Sequence, residues 1–141
     1  MKPATDPRLL IPEPIHAAIL AQAAAEAPNE CCGLLAGPLI PGEDYRILER
    51  FPLVNALASP SEFESEPRGL FTAHRAMRER GWEILAVYHS HPTSPAVPSQ
   101  KDRAMSSGPE IITLIVSLSM GEMRGWWVAG DEVREARIEL I

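Results

Sequence analysis

Two histidines and an aspartate lie close together in the sequence and are the residues best suited to carry chemistry. His89 and His91 follow residues 84–88, an apolar run with the length and composition of a buried strand. Because residues i and i+2 of a strand point to the same face, the two imidazoles should project side by side. Asp102 follows a proline-rich loop, and imidazole nitrogen and carboxylate oxygen are both ligands that Zn²⁺ accepts. Three protein ligands and one open position are typical of catalytic zinc sites, so the pattern predicts a hydrolase.

Ser99 lies just before Asp102, and the spacing of the two residues has two interpretations. Ser-x-x-Asp is typical of the first turn of a helix, where the serine caps free N–H groups. The proline-rich loop also returns the chain, so that this turn can face the end of the strand and present both side chains on one helical face. We therefore predict a short helix at residues 99–105, and Ser99 is a cap, a site residue or both.

Hydrophobic periodicity and turn residues predict the elements that must position these side chains. Helical spacing of apolar residues predicts helices at residues 14–27 and 67–80, with a loop rich in Ser, Pro and Glu at residues 55–65. The first two predicted strands should pair, and the last three should form an antiparallel meander. Besides the histidine-bearing run, the predicted strands are residues 31–36, 45–54, 110–118, 123–129 and 133–141. Strands separated by helices and then grouped together imply an α/β fold, a mixed sheet with helices against its faces.

The composition is that of one folded domain and excludes several kinds of partner. With 141 residues, 45% of them hydrophobic, we predict a single domain over residues 1–141 with its core from about residue 10. A net charge of −6 without a cluster of Lys and Arg argues against nucleic acid. No apolar run approaches the roughly 18 residues that a membrane helix needs, so no membrane partner is expected. Cys31 and Cys32 are neighbours and should be buried free thiols, with a nucleophile or metal ligand as the alternative; this favours a cytoplasmic location.

Other metal-binding folds that use His-x-His make demands that this sequence does not meet. A cupin should carry a Glu about four residues after the second His, where Pro95 and Ala96 stand. Metallo-β-lactamases continue as His-x-His-x-Asp-His, which is absent here. Amidohydrolase barrels need about 250 residues. Zinc nucleobase deaminases need His-x-Glu followed by Pro-Cys-x-x-Cys, a combination that the sequence lacks.

The combined pattern resembles the JAMM/MPN zinc metalloproteases, also called the Mov34/PAD-1 or JAB family. Their signature is an upstream Glu and His-x-His-x7-Ser-x2-Asp, and this chain has His89, His91, Ser99 and Asp102 at that spacing. The upstream Glu is matched by Glu30, in a Glu-Cys-Cys-Gly-Leu-Leu segment that is similar to the family's Glu-x-x-Gly-Leu. The resemblance extends over nearly the whole chain, which is close to the minimal domain and looks like the short prokaryotic type.

The resemblance implies a fold and a role for each matched residue. The fold would be α/β, with a mixed, largely antiparallel sheet flanked by helices, the MPN or cytidine-deaminase-like architecture. His89, His91 and Asp102 would hold one Zn²⁺ per chain. Glu30 would act as general acid and base on the zinc-bound water, and Ser99 would contact the oxyanion. Ser90 is a weaker candidate for support behind the histidines.

The resemblance also implies a substrate class. Short members of the family act on ubiquitin-like sulfur-carrier proteins, so we expect a zinc-dependent peptidase or isopeptidase that hydrolyses an amide bond at the C-terminal Gly-Gly tail of such a carrier. Residues 62–64, Glu-Phe-Glu, either line the groove for this tail or form an ordinary loop. The alternative function is a catalytically silent MPN scaffold that binds partners. Such members usually lack a motif residue, and none is missing here.

Overall fold

Proline and glutamate residues set where the two long helices begin. In the computed structural model, α1 spans Glu13–Glu26 and α2 spans Pro67–Arg80, which confirms both predicted helices to within a residue. α1 has Pro14 in its first turn, where a missing N–H is not needed. The carboxylate of Glu66 accepts hydrogen bonds from the first N–H groups of α2, and Gly81 ends this helix with φ 71°. No helix in the described part of the chain is long and apolar enough to cross a membrane.

Short strands form most of the remaining regular structure. The structure describes residues 6–141, so residues 1–5 of the predicted domain lie outside the described residues. A short helix, α3 (Gln100–Ala104), confirms the predicted helix at residues 99–105 with one residue fewer at each end. The strands are β1 (Leu9–Ile11), β2 (Cys32–Gly37), β3 (Tyr45–Arg46), β4 (Glu49–Leu53), β5 (Glu83–His91), β6 (Ile112–Ser117), β7 (Glu122–Ala129), β8 (Glu132–Ala136) and β9 (Ile138–Leu140).

The larger sheet has six strands in the order β4-β2-β5-β6-β7-β8. All of its neighbouring strands are antiparallel except β5 and β6, which are parallel. The parallel step requires a long connection, and the loops around α3 supply it. The mixed, largely antiparallel sheet flanked by helices is therefore confirmed, as is the meander of β6, β7 and β8.

A second sheet of three strands, in the order β3-β1-β9, is a feature that the sequence analysis does not predict. The predicted strand at residues 45–54 divides into β3 and β4 because the chain passes from one sheet to the other. Ile47 N donates to Leu10 O in β1 at 3.0 Å, whereas Leu48 N donates to Ala36 O in β2 at 2.9 Å. The predicted strand at residues 133–141 divides into β8 and β9 for the same reason, since β9 pairs with β1.

The central strand β5 is packed on both faces, which explains its continuous apolar run. On one face, Leu85 and Tyr88 lie in the core that α1 and the three-stranded sheet cover. On the other face, Ile84 and Val87 pack against the core beneath α2. The strand that carries the two histidines is therefore fixed from both sides.

The Glu-x-x-Gly segment has a steric reason for its glycine. Tyr88 crosses Gly33 so closely that a Cβ at this position would lie 2.2 Å from the tyrosine ring. Cys31 and Cys32, between the Glu and the Gly, are buried and free, as predicted. The segment is thus packed tightly against the histidine strand.

Candidate active site

β5 ends at the two histidines, and the first turn of α3 returns to them. The Nε2 atoms of His89 and His91 lie 3.2 Å apart. Asp102 Oδ2 lies 3.2 Å from Nε2 of His89 and 3.0 Å from Nε2 of His91. All three side chains are at most 9% exposed. The structure thus brings these three predicted residues together as a buried triangle of ligand atoms.

The triangle has the size and the chemistry that a tetrahedral Zn²⁺ needs. Ligand atoms at about 2.0–2.1 Å from zinc, at tetrahedral angles, are about 3.3 Å apart, close to the observed distances. His91 Nδ1 lies 2.8 Å from Pro95 O, which can only accept, so in the neutral ring Nδ1 carries the proton and Nε2 presents its lone pair. His91 Nε2 and Asp102 Oδ2 then face each other as two acceptors, and a shared cation satisfies both. The three residues fit a metal site.

Burial and neighbouring charges act differently on the three side chains. Burial lowers the pKa of His89 and keeps its ring neutral. Burial alone would raise the pKa of the Asp102 carboxyl, but hydrogen bonds with His89 and His91 outweigh it and hold this pKa well below its usual range. Burial also lowers the pKa of His91, but Asp102 and the Pro95 carbonyl raise it by more. The ionised carboxylate of Asp102 beside the two imidazole rings attracts a cation or a proton to the centre of the triangle.

Side chains on β6 and β7 hold the loop between His91 and α3, residues 92–98. Ser117 Oγ on β6 donates to the carbonyl oxygen before Pro95 at 2.6 Å. Trp126 Nε1 on β7 donates to the carbonyl oxygen after Pro95 at 2.8 Å. The carbonyl that sets the tautomer of His91 therefore lies between two anchors. No sequence pattern indicates these anchors, because they join residues that are distant in the chain.

His89 is oriented by packing. Its ring stacks on Phe63, with centroids 4.6 Å apart and an angle of 22° between the planes. Its Nδ1 atom is buried and has no hydrogen-bond partner within residues 6–141. Metal-binding histidines usually donate from their second nitrogen, and here the contact with Phe63 takes over the orienting role. The structure therefore places residue 63 of the 62–64 segment at the site.

A groove adjoins the triangle on the α2 side of the sheet. It encloses about 290 Å³, and His89 and Asp102 line one part of it. Lys101 on α3 forms an ion pair with Glu62, so the helix and the 55–65 loop are linked beside the groove. The apolar residues in its walls include Leu53, Phe63, Leu70, Val87 and Met105.

Glu30 lies two residues before β2, the strand next to the one that carries the histidines. β2 and β5 are antiparallel with Cys32 opposite His89, and just before this pair Ser90 N donates to Cys31 O at 3.1 Å, so Glu30 follows the end of the histidine strand. The Glu30 carboxyl interacts electrostatically with both His91 and Asp102, so it faces the same side of the sheet as the two histidines. Glu30 is only 4% exposed, and its Oε1 has no hydrogen-bond partner among the described residues. Such an oxygen requires a partner that binds there, such as water.

Burial also tunes the carboxyl of Glu30. It raises the pKa of Glu30 to about 7, an effect that His91 opposes and Asp102 reinforces. A carboxyl with a pKa near neutral pH can both take a proton and return it. Buried carboxylates with raised pKa values beside a cleft are typical of functional sites.

The backbone around Glu30 is held from two directions. Ser90 Oγ accepts a hydrogen bond from Cys31 N at 2.8 Å, and Ser90 N donates to Cys31 O at 3.1 Å. Ser90 therefore ties the histidine strand to the Glu30 segment. On the other side, Asn55 Nδ2 donates to Glu30 O at 3.0 Å. Nothing in the sequence indicates the role of Asn55, because an asparagine in a polar loop gives no signal of its partners.

Ser99 caps α3. Its Oγ accepts a hydrogen bond from Asp102 N at 3.0 Å, and Ser99 N donates to Asp102 Oδ2 at 2.9 Å. This capping box confirms the helix-start interpretation. It also fixes the carboxylate oxygen that belongs to the ligand triangle, while the contact of Ser99 with an oxyanion stays a prediction.

Comparison with known proteins identifies the family. A family model for prokaryotic homologues of the JAB domain matches residues 12–129. The chain is 34% identical to a desampylase from Haloferax volcanii over 82% of this chain and 81% of that protein. It is 29% identical to the CysO-cysteine peptidase of Mycobacterium tuberculosis over 88% of this chain and 85% of that protein. A solution structure from Desulfitobacterium hafniense matches with a TM-score of 0.84 and 33% identity, covering 94% of this chain and 92% of that one. The chain belongs to the prokaryotic homologues of the JAB domain, which confirms its resemblance to the JAMM/MPN proteins.

Proposed function

We propose that the protein is a zinc-dependent peptidase or isopeptidase that hydrolyses an amide bond at the C-terminal Gly-Gly tail of a ubiquitin-like sulfur-carrier protein. One observation carries the proposal: the triangle of His89, His91 and Asp102 lies beside the buried carboxyl of Glu30, whose Oε1 has no hydrogen-bond partner among the described residues. An amide is a poor electrophile and water is a poor nucleophile. A metal site with a general base beside it addresses both difficulties.

The residues of the triangle would hold one Zn²⁺ through the two Nε2 atoms and Asp102 Oδ2. When bound, zinc polarises the amide carbonyl and lowers the pKa of water at its open position toward about 7. The contribution of the chain is to hold the ligand atoms in place. Pro95 O sets the tautomer of His91, and Phe63 packs against His89.

Glu30 would take the proton of the attacking water and later return it to the leaving amine. Its Oε1 is free to accept that proton, and a pKa of about 7 lets the carboxyl hold it and release it. Because Glu30 is not one of the three ligands, its carboxylate stays available for proton transfer.

The groove and the relatives support the substrate class. An extended Gly-Gly tail has no side chains to clash with the apolar walls, and the polar lining of the groove includes His89 and Asp102. The relative from Mycobacterium tuberculosis is named as a CysO-cysteine peptidase, and the relative from Haloferax volcanii as a desampylase. A tail of small residues such as Gly-Gly, followed by the amide bond to be cleaved, is therefore the substrate that suits this groove.

Cleavage of an extended carrier tests the proposal. We expect the zinc-loaded protein to trim a sulfur-carrier protein with residues added after its Gly-Gly, leaving a product that ends at Gly-Gly in mass spectrometry. The matched control is the same carrier with Val-Val in place of Gly-Gly, which should stay intact because its side chains meet the groove walls. Intact carriers in every reaction of a zinc-loaded protein would contradict the proposal and favour the silent scaffold.

Removing the hydroxyl of Ser99 separates its two roles. If Ser99 donates to the developing oxyanion, we expect Ser99→Ala to lower kcat about 10²–10³-fold, as for comparable donors. Loss of the cap alone would cost about 1 kcal/mol of stability and leave kcat of the folded protein nearly unchanged. Ser99→Thr keeps both the hydroxyl and the cap, so it should retain most of the activity. Steady-state kinetics and thermal unfolding of the two variants distinguish these outcomes.

We also assign the protein to the cytoplasm, on the basis of its cysteines. Cys31 and Cys32 are both free and buried. Burial raises the pKa of both thiols, to about 12 for Cys32. Two protonated, unpaired thiols are typical of proteins from reducing compartments.

A further inference from the structure

The loop between β4 and α2 contacts both the proposed general base and a metal ligand. We call residues 55–65 the groove loop, because Phe63 within it lines the groove. An antiparallel bridge joins its two ends. Phe63 stacks on His89, and Ser59 O accepts a hydrogen bond from Glu30 N at 2.8 Å. This one loop therefore lines the groove for the substrate and also contacts the proposed metal ligand His89 and the proposed general base Glu30.

Asn55 stands at the neck of the groove loop, is 7% exposed and makes four hydrogen bonds with its side chain. Nδ2 donates to Glu30 O at 3.0 Å and to Glu62 O at 2.9 Å. Oδ1 accepts from Leu57 N and from Glu64 N, both at 3.1 Å. Carbonyl oxygens only accept and backbone N–H groups only donate, so the orientation of this amide is fixed. The site requires two donors and an acceptor in one short side chain, which asparagine supplies.

Both the backbone N–H and the backbone carbonyl of Glu30 form hydrogen bonds with the groove loop. Its N–H donates to the loop through Ser59 O, and its carbonyl accepts from Asn55. Any displacement of the groove loop is therefore passed to the carboxylate that faces the metal site. None of the four hydrogen bonds of the Asn55 side chain involves the ligand triangle or Oε1 of Glu30.

We propose that Asn55 is a positioning residue that holds Glu30 in place and couples it to the groove loop, so that a substrate in the groove also sets the general base. The proposal rests on the peptidase function proposed above, because its kinetic test needs turnover. Catalysis depends on how precisely the reacting groups are placed. A displacement of about 1 Å in a catalytic group can lower the rate about 10²-fold.

Asn55→Asp is the sharpest variant. It keeps the oxygen that accepts from Leu57 N and Glu64 N, and it turns the two donated bonds into contacts between acceptors. We expect kcat to fall about 10–100-fold while bound zinc stays near one per chain. We also expect faster hydrogen exchange at the amide of Glu30. Asn29→Asp is the matched control: it adds the same charge next to Glu30 on a partly buried side chain outside the groove loop.

The outcomes separate positioning from the simpler roles. A higher KM with unchanged kcat would overturn the proposal, because the groove loop would then serve only substrate binding. Loss of zinc in Asn55→Asp, or an equal loss of kcat in Asn29→Asp, would also overturn it. Asn55→Ser removes the amide without adding charge and should show the same fall in kcat. Failure of both Asn55 variants to fold, measured by circular dichroism, would make Asn55 a structural residue and contradict the proposal.

The hydrogen-exchange measurement keeps this inference separate from the proposed function. If the wild-type protein cleaves no carrier, the peptidase proposal fails, but exchange at Glu30 still tests the coupling. Faster exchange at the Glu30 amide in Asn55→Asp, but not in Asn29→Asp, supports coupling through Asn55. Unchanged exchange overturns it.

Discussion

Replacing Glu30 by glutamine is expected to lower kcat by about 10³-fold or more while zinc stays bound. The amide of glutamine has nearly the shape of the carboxyl but cannot take a proton, and general bases contribute about 10²–10⁴-fold to rate. The triangle of His89, His91 and Asp102 is untouched, so metal content should stay near one per chain. Thermal stability should be kept or should rise, because Glu30→Gln removes a buried ionisable group whose pKa is already raised to about 7.

Metal analysis, kinetics and thermal unfolding of the same preparation measure these three expectations for Glu30→Gln. Glu43→Gln, on an exposed turn outside the site, is the control for loss of one negative charge. Full turnover of Glu30→Gln would remove Glu30 from the mechanism. Loss of zinc from this variant would show that Glu30 supports the metal rather than the proton transfer.

Replacing Asp102 by asparagine is expected to weaken zinc binding by more than about 100-fold. Changes to the groups that only support metal ligands cost about 10–100-fold in affinity, so loss of a ligand should exceed that range. Asparagine retains an oxygen for the hydrogen bond from Ser99 N, so α3 should keep its cap. The variant removes the carboxylate charge, which the hydrogen bonds with His89 and His91 favour by holding the pKa of Asp102 below its usual range.

Zinc competition with a chelator of known affinity measures this effect. Asp131→Asn, in the exposed turn between β7 and β8, is the matched control and should bind zinc as the wild type does. Circular dichroism checks that α3 and the rest of the fold are kept. Unchanged zinc affinity in Asp102→Asn would contradict the ligand assignment.

Local patterns predict the strand and the short helix that carry the proposed ligands, and also the long helix that packs beside that strand. The helix at Pro67–Arg80 has apolar residues at helical spacing with a glycine after it, and the histidine strand is a continuous apolar run. Ser-x-x-Asp predicts the start of α3, and its capping box also accounts for the position of Asp102. These features depend only on residues that are close together in the chain, so they can be predicted from the sequence alone.

Pairing between residues that are distant in the chain could not be predicted from the sequence. β1 and β3 are three and two residues long, too short to show a period, and β1 pairs with β9 at the other end of the chain. The role of Asn55 depends on four contacts that exist only once the groove loop is folded. Glu30 is recognised through the family resemblance, and the hydrogen bonds between Cys31 and Ser90 then supply the physical reason that it lies beside the histidine strand.

Removing and restoring zinc during cleavage of an extended carrier tests the central claim most directly. The measurement is the mass of the carrier after incubation with loaded, metal-free and reloaded protein. We predict a product that ends at Gly-Gly with the loaded protein, no product after metal removal, and recovery when about one zinc per chain is returned. Equal cleavage by the metal-free protein, or none by the fully loaded one, would contradict the account.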